Sequence, residues 1–236
     1  MATSAFSGSQ AALAAARRRP RDPHNLGHHS HGHGGGGNEP TGHGEGGPAS
    51  KRIVVAYGFW IYLLSDIIMF SGFFAAYAVL AQETAGGPGP RDLFDVNNVA
   101  IETVCLLLSS FTAGLSAIAV GRKQMVPAQF WMLVTGLLGF AFLVLEMIEF
   151  ADLVGRGAGP QRSAFLSSFF ALVGLHGLHV SVGLLWLGTM MAQLWVKGFR
   201  DTILRRIACF NLFWHALDII WVAIFTIVYL LGVAPR

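Results

Sequence analysis

Charged residues are scarce in this chain. Asp, Glu, Lys and Arg make up 12% of its 236 residues, whereas soluble domains average about 25%. Hydrophobic residues make up 53%, which excludes a chain that is disordered throughout. Two cysteines are too few for a scaffold held together by disulfides. The composition therefore indicates an integral membrane protein.

Motifs of soluble chemistry are missing as well. The sequence has no phosphate-binding loop, no dinucleotide-binding glycine fingerprint, no nucleophile elbow and no CxxC pair. Its net charge of +3 comes from Lys and Arg residues that lie almost wholly outside the apolar stretches. Basic residues are distributed in this way around a bilayer, whereas nucleic-acid binding needs them gathered in a patch or stripe. We therefore expect no nucleic-acid partner.

The first fifty residues differ in composition from the rest. A cluster of four arginines precedes a Gly/His tract that holds six of the nine histidines. This segment has no apolar periodicity and too little apolar surface to form a core. Residues 1–50 are therefore predicted to be a disordered, Arg- and Gly/His-rich cytoplasmic tail. Clustered histidines can bind metal ions, but the pattern favours a flexible polar tail.

Residues 51–236 are predicted to form a membrane domain of five transmembrane helices, an all-α fold. Each apolar stretch is long enough to cross the hydrocarbon core, which needs about 20 helical residues. The stretches have to be helical because a lipid-exposed backbone must satisfy its own hydrogen bonds. The predicted spans lie at about residues 54–80, 98–120, 128–150, 164–194 and 207–231.

The basic residues predict an orientation. Twelve of the sixteen Lys and Arg residues lie in the N-terminal segment and in the second and fourth loops, on one side of the predicted bundle. The other side has four. Because cytoplasmic segments carry the excess of Lys and Arg, we expect the N-terminus in the cytoplasm and the C-terminus in the periplasm.

Eight acidic or histidine side chains lie inside the predicted spans, which hold no Lys or Arg. An ionised carboxylate at the centre of a bilayer costs at least about 2.5 kcal/mol, so these groups need hydrogen bonds or partners. Several are spaced i, i+3 and share a helix face. We expect polar contacts with lipid, neighbouring helices or partner subunits from Asp66, Glu102, Glu146, Glu149, His176, His179, His215 and Asp218.

Two chemical functions for these residues stay open. His176 and His179 on one helix and His215 on another could hold a metal ion or a haem. Alternatively, a continuous chain of the acidic residues could carry protons across the membrane. Structural hydrogen bonds between helices, each worth about 0.6–2 kcal/mol, are the simpler interpretation, together with lipid or subunit contacts.

Local patterns predict how the helices pack and where they meet the membrane surface. Small residues one helical turn apart allow close approach of two helices, as in Gly72-x-x-x-Ala76, Ser110-x-x-x-Gly114 and Gly177-x-x-x-Ser181. Aromatic residues near span ends are typical of interface anchors. The candidates are Trp60, Tyr62, Trp131, Trp195 and Tyr229.

The polar residues occur in recognisable strings. Gly58-Phe-Trp-Ile-Tyr-Leu-Leu-Ser-Asp66 opens the first helix, and Glu146-Met-Ile-Glu149-Phe ends the third. His176-Gly-Leu-His179 and Trp214-His215-Ala-Leu-Asp218-Ile-Ile-Trp221 are the most specific strings. In this order, over residues 52–232, the chain resembles subunit III of the haem–copper oxidases. Many members fed by cytochrome c have seven helices. The five helices here, and the segment that follows Gly159, look like the ubiquinol-oxidase branch of the cytochrome bo type.

The resemblance implies a non-catalytic subunit of a bacterial respiratory complex in the cytoplasmic (inner) membrane. Such a complex oxidises ubiquinol, reduces oxygen to water and pumps protons. Its haems and copper belong to subunit I, so no catalytic, cofactor or metal site is expected in this chain. The implied partners are subunits I and II, a small subunit IV, and phospholipid held in a cleft.

The resemblance also bears on two single residues. Asp66 matches a carboxylate position of the family, and His179 matches a position near lipid headgroups. The nearest alternative is subunit III of an oxidase fed by cytochrome c. More distant alternatives are an autonomous membrane cytochrome or metal protein and a proton channel.

Overall fold

A computed structural model describes residues 51–86, 89, 93 and 95–233. The predicted cytoplasmic tail lies outside the described residues. The rest is all-helical, as predicted, and five helices are long and apolar enough to cross a membrane. They are α1 (Lys51–Leu80), α2 (Val96–Gly121), α3 (Met125–Gly155), α4 (Ala164–Lys197) and α5 (Asp201–Ile224), which continues as a π-helical segment (Phe225–Leu230) and the short α6 (Leu231–Val233).

The helices extend beyond several of the predicted spans. Hydropathy marks only the apolar middle of a helix, whereas the backbone continues into polar turns that lie outside the hydrocarbon core. The largest difference is at α5, which starts at Asp201 rather than at residue 207. Asp201 lies in the first turn, where its negative charge complements the helix dipole.

Two side chains and a glycine fix three of the helix ends. Asp95 caps α2, and its carboxylate accepts a hydrogen bond from Asn97 N at 3.0 Å. Ser163 caps α4 in the same way, accepting from Leu166 N at 3.2 Å. α4 ends before Gly198, which has φ +66°, a conformation that favours glycine.

The packing order places α5 and α4 at the centre. α2 packs along α3, α5 contacts α1, α2 and α4, and α4 contacts α1, α3 and α5. α1 is the most exposed of the five spans. Many large apolar side chains on the outer faces are exposed, as expected of surfaces that face lipid tails.

Trp214 fills the centre of the bundle and depends on two glycines. A Cβ added to Gly139 of α3 would lie 2.8 Å from Trp214 Cζ2. A Cβ added to Gly183 of α4 would lie 2.8 Å from Trp214 Cζ3. The indole is therefore clamped between α3 and α4, where any larger residue would collide with it.

Hydroxyl groups connect α5 to α2 and α3 inside the apolar core. Trp214 Nε1 donates to Ser109 Oγ at 2.9 Å, and Ser109 Oγ donates to the carbonyl of Thr135 at 3.2 Å. Closer to the other end of α5, Trp221 Nε1 donates to Thr103 Oγ1 at 3.1 Å. These bonds fix the helix register because an unpaired donor in a dry core is costly.

The three small-residue motifs differ in how tightly their glycines pack against a neighbouring helix. Gly177 packs tightly, as predicted: a Cβ there would lie 2.7 Å from Glu146 Oε1. The predicted close packing at Gly72 and Gly114 is not found within the described part of the chain. Apart from the neighbouring residues and backbone of the same helix, no described atom lies within 4 Å of a Cβ placed on either glycine. Small residues allow a second helix to approach closely, but they do not ensure that a second helix lies there.

Candidate functional site: polar groups inside the helix bundle

Three glutamates come together between α2 and α3. Glu102 lies near the start of α2, and Glu146 and Glu149 lie near the end of α3. Because the two helices are antiparallel neighbours, these ends meet. The three carboxyl groups interact electrostatically. Glu102 and Glu149 also line a cavity of about 490 Å³ between the two helices.

The cluster contains carboxyl oxygens without partners. Glu102 and Glu146 are 2% and 1% exposed. Glu102 Oε2 and both carboxyl oxygens of Glu146 have no hydrogen-bond partner among the described residues. A buried carboxyl in this condition carries a desolvation cost.

Glu149 forms a hydrogen bond with Tyr229, a residue that was predicted to be an interface anchor at a span end. Tyr229 Oη donates to Glu149 Oε2 at 3.2 Å. Tyr229 is fully buried, so its prediction as an interface anchor is wrong. The π-helical segment carries Tyr229 at this position. Hydropathy gave no signal for the π-helical hydrogen-bond pattern, which is set by tertiary contacts.

His176 is enclosed by aromatic rings. Its ring centroid lies 5.1 Å from that of Trp221, 5.8 Å from that of Phe142 and 6.4 Å from that of Phe70. The side chain is fully buried, and within the described part of the chain neither ring nitrogen has a hydrogen-bond partner. His176 therefore packs as an aromatic core residue.

His179 is occupied by its own helix. Its Nδ1 pairs with the carbonyl of Leu175 at 2.8 Å, and its ring packs on Phe70 with centroids 5.2 Å apart. His176 and His179 share a helix face, as predicted from their spacing.

His215 and Asp218 form a third polar group with Ser110 of α2. Ser110 Oγ lies 2.6 Å from His215 Nδ1, and Asp218 interacts with both the Ser110 hydroxyl and the His215 ring. A carboxylate can only accept, and a hydroxyl has one proton to give. The Ser110 hydroxyl therefore bridges His215 and Asp218, and the His215 tautomer sets the direction of the bonds.

Asp66 stands apart from the other acids. It is half-buried on α1, and Tyr62, one turn earlier on the same helix, donates a hydrogen bond to it. Tyr62 is 48% exposed. The Asp66 contact is therefore local to one face of α1.

The arrangement does not create a metal centre in the described region. No group of three or more His, Cys, Asp or Glu side chains converges there in a geometry that could hold a metal ion. His176 is caged by rings, His179 is paired with its own backbone, and His215 faces Ser110. Of these groups, His215 and Glu149 make hydrogen bonds to a side chain of another helical element, Ser110 and Tyr229 respectively.

The hydroxyl donors and acceptors of the core were not predicted from the sequence. Thr103, Ser109 and Thr135 are buried and bond across helices. The available signal was the presence of Ser and Thr in otherwise apolar helices, which is also explained by bonds to the same helix. The tryptophan donors on α5 decide which of these hydroxyls connect helices.

Comparisons with known proteins agree with this architecture. The family described as "Cytochrome c oxidase subunit III" matches residues 38–233. Cytochrome bo(3) ubiquinol oxidase subunit 3 of Pseudomonas aeruginosa is 47% identical over 212 residues, which are 89% of this chain and 94% of the relative. The protein of the same name from Pseudomonas putida is 49% identical over 75% of this chain and 85% of its own length.

A relative from another genus gives a similar result. Quinol oxidase subunit 3 of Bacillus subtilis is 43% identical over 74% of this chain and 86% of the relative. The family match covers all five long helices, and it includes both the HGLH string and the Trp214–Trp221 string. The chain therefore belongs to the cytochrome c oxidase subunit III family.

Proposed function

We propose that this chain is the non-catalytic subunit III of a bacterial ubiquinol oxidase. The complex couples ubiquinol oxidation to the reduction of oxygen to water and to proton pumping. The observation that carries the proposal is the 43–49% identity to relatives named quinol or ubiquinol oxidase subunit 3, over about three quarters of the chain or more. Those names favour a quinol donor over cytochrome c.

The orientation is the one that the basic residues predict. The N-terminus lies in the cytoplasm and the C-terminus in the periplasm of the inner membrane. Lys123, Arg205 and Arg206 then lie on the cytoplasmic side, as the excess of Lys and Arg requires. In this orientation the glutamate cluster lies toward the periplasmic side.

The chain acts on the complex by stabilising subunit I, which holds the haems and copper. Subunit II and a small subunit IV complete the assembly. Ring packing, helix-to-helix hydrogen bonds and buried carboxyls suit a rigid scaffold rather than a reaction centre. The residues that supply polar contacts between helices, to lipid or to partner subunits are Asp66, Glu102, Glu146, Glu149, His176, His179, His215 and Asp218.

Phospholipid binding belongs to the same proposal. A crevice of about 630 Å³ lies between the start of α1, the end of α2 and the start of α5. Lys123 and Arg205 line it together with apolar residues such as Val55 and Leu204. Basic groups beside an apolar groove at the membrane surface suit a phosphate and its acyl chains.

Copurification tests the assignment. The chain would be purified through a C-terminal tag in mild detergent, and its companions identified by mass spectrometry. We expect a large haem–copper subunit and a subunit II without a copper-binding domain. A copper-binding subunit II would instead indicate cytochrome c as the donor. Repeated recovery of the folded chain alone would overturn the proposal.

A further inference from the structure

A cavity of about 490 Å³ lies between α2 and α3, at the end of the bundle where α2 begins and α3 ends. Its lining includes the exposed residues Asp95, Asp152 and Arg156, the last two paired at 2.6 Å. Glu102 and Glu149 also line it, each six positions from the end of its helix, or about 9 Å at 1.5 Å per residue. This α2–α3 cavity therefore connects the exposed end of the bundle with carboxyl groups inside the spans.

Glu146 lies behind the cavity wall and is more deeply enclosed. It is 1% exposed and does not line the cavity, whereas Glu102 lines it at 2% exposure. Both carboxyl oxygens of Glu146 and Oε2 of Glu102 lack a hydrogen-bond partner within the described ranges. The two residues interact electrostatically with each other and with Glu149. None of the three carboxyls forms an ion pair with a Lys, Arg or His side chain of those ranges.

Three carboxyl groups in this setting cannot all be ionised. An ionised carboxylate that is buried without a partner loses its hydration, and neighbouring negative charges repel one another. Glu149 is the member best suited to carry a charge, because Tyr229 Oη donates to its Oε2 at 3.2 Å. Glu102 and Glu146 have no such donor in the described part of the chain, so their carboxyls are neutral, and a neutral carboxyl holds a proton. The unpartnered oxygens thus point to the proton as the ligand of the glutamate cluster.

An aromatic layer closes the cluster toward the middle of the membrane. Phe142, one turn before Glu146 on α3, is fully buried, and its ring centroid lies 4.6 Å from that of Trp221. The ring of His176 is 5.8 Å from Phe142, and neither of its nitrogens has a hydrogen-bond partner among the described residues. A proton relay needs continuous hydrogen bonds, which this layer interrupts. Within the described residues, the cluster is therefore reached through the α2–α3 cavity and not from across the membrane.

We propose that Glu102, Glu146 and Glu149 form a proton-binding site, which holds two protons at neutral pH and exchanges them with water through the α2–α3 cavity. Protons enter and leave by the same cavity, so the site stores protons and does not conduct them across the membrane. A metal ion would be another cation for such a group, but no set of ligands in the described region converges on one. The inference goes beyond the proposed function and stands or falls without it, because the site is built from this chain alone.

The site makes the stability of the chain depend on pH. Glu side chains of an unfolded chain are ionised above about pH 5, whereas the folded cluster keeps its protons. The folded state therefore binds more protons at neutral pH, and its stability falls as the pH rises, until the cluster itself ionises. The exposed acids at the cavity add to the negative charge and leave this direction unchanged. The charged or titratable groups that face the cluster are Asp95, Asp152, Arg156 and Tyr229.

Infrared spectroscopy of the purified full-length chain in mild detergent detects these protons directly. A protonated carboxyl has a carbonyl stretching band that an ionised carboxylate lacks. At neutral pH we expect one component of this band to be missing in Glu146→Gln and another in Glu102→Gln, whereas Glu83→Gln keeps both. Glu83 is an exposed residue of the first loop and is the matched control. A wild-type band in either folded variant would overturn the proposal, and if one variant does not fold, the other decides.

The exchange path has its own test in D₂O. The band components that depend on Glu102 and Glu146 should shift before the backbone amides of the helix core exchange, because the cavity admits water to the cluster. Components that shift only together with the core amides would overturn exchange through the cavity.

The pH dependence gives a second, independent measurement. The unfolding equilibrium constant, from SDS titrations between about pH 6 and pH 8, should rise less steeply with pH in Glu102→Gln and in Glu146→Gln than in the wild type. The difference should be about tenfold per pH unit in each variant, since each has lost one bound proton. Glu83→Gln should keep the wild-type slope. Equal slopes in all four proteins would contradict the proposal.

Discussion

The carboxyl group of Glu146 occupies the space that a side chain on Gly177 would fill. A Cβ on Gly177 would lie 2.7 Å from Glu146 Oε1 and 3.0 Å from Oε2. The glycine of the HGLH string is therefore a packing position for a buried acid on the neighbouring helix. His176, the preceding residue, turns instead toward the rings of Phe142 and Trp221.

This contact predicts the effect of Gly177→Ala. The added methyl group forces Glu146 or α4 to move, and overpacking of this kind costs about 1–3 kcal/mol. The midpoint of thermal unfolding in mild detergent should fall. Gly188→Ala on the same helix is the control, because no described atom lies within 4 Å of its Cβ.

A double variant tests the cause of that loss. Glu146→Ala removes the group that collides, so Gly177→Ala should cost less in that background than in the wild type. Additive effects of the two substitutions would show that the glycine matters for a reason other than Glu146.

The clamp on Trp214 gives a second prediction. Gly139→Ala and Gly183→Ala each place a Cβ 2.8 Å from the indole, so each should lower the thermal unfolding midpoint. A Trp214→Ala background removes the contacts at 2.8 Å and leaves those at 3.3 Å to Leu184 and 3.2 Å to Phe213, so both alanines should cost less there than in the wild type. If the alanines were equally damaging with and without the indole, the clamp would be disproved.

The caged histidine yields a third prediction. His176→Phe replaces an imidazole without hydrogen-bond partners by an apolar ring of similar shape, and removing such unpaired buried polar atoms is near neutral or stabilising. The haem and copper content of the purified complex should therefore equal that of the wild type, measured by absorbance and elemental analysis. Loss of a haem band in His176→Phe would favour an autonomous cytochrome.

Much of the architecture could be predicted from the sequence because the bilayer imposes strong constraints. Apolar length alone indicated five helices, and the opposite directions of the second and third spans put Glu102 on the same side of the membrane as Glu146 and Glu149. Which side chains of different helices contact each other could not be predicted. Periodicity assigns Tyr229 to a span end, but only the tertiary fold brings its hydroxyl to Glu149.

The same limit applies to the histidines. Spacing places His176 and His179 on one face, but it does not say whether that face meets ligands or rings. Ring packing of Trp221 against His176 depends on how α5 lies across α4. Likewise, the sequence predicts no partner for the Ser110 hydroxyl. The packing of α2 against α5 places Ser110 Oγ 2.6 Å from His215 Nδ1.

The most direct test of the account is the durability of the oxidase during turnover. Oxygen consumption with ubiquinol would be followed to inactivation in the complete complex and in a complex from which this chain has been deleted. The account predicts a similar initial rate per haem and a much earlier loss of activity without the chain. An unchanged lifetime, with assembly intact, would contradict the claim that this subunit stabilises the catalytic one.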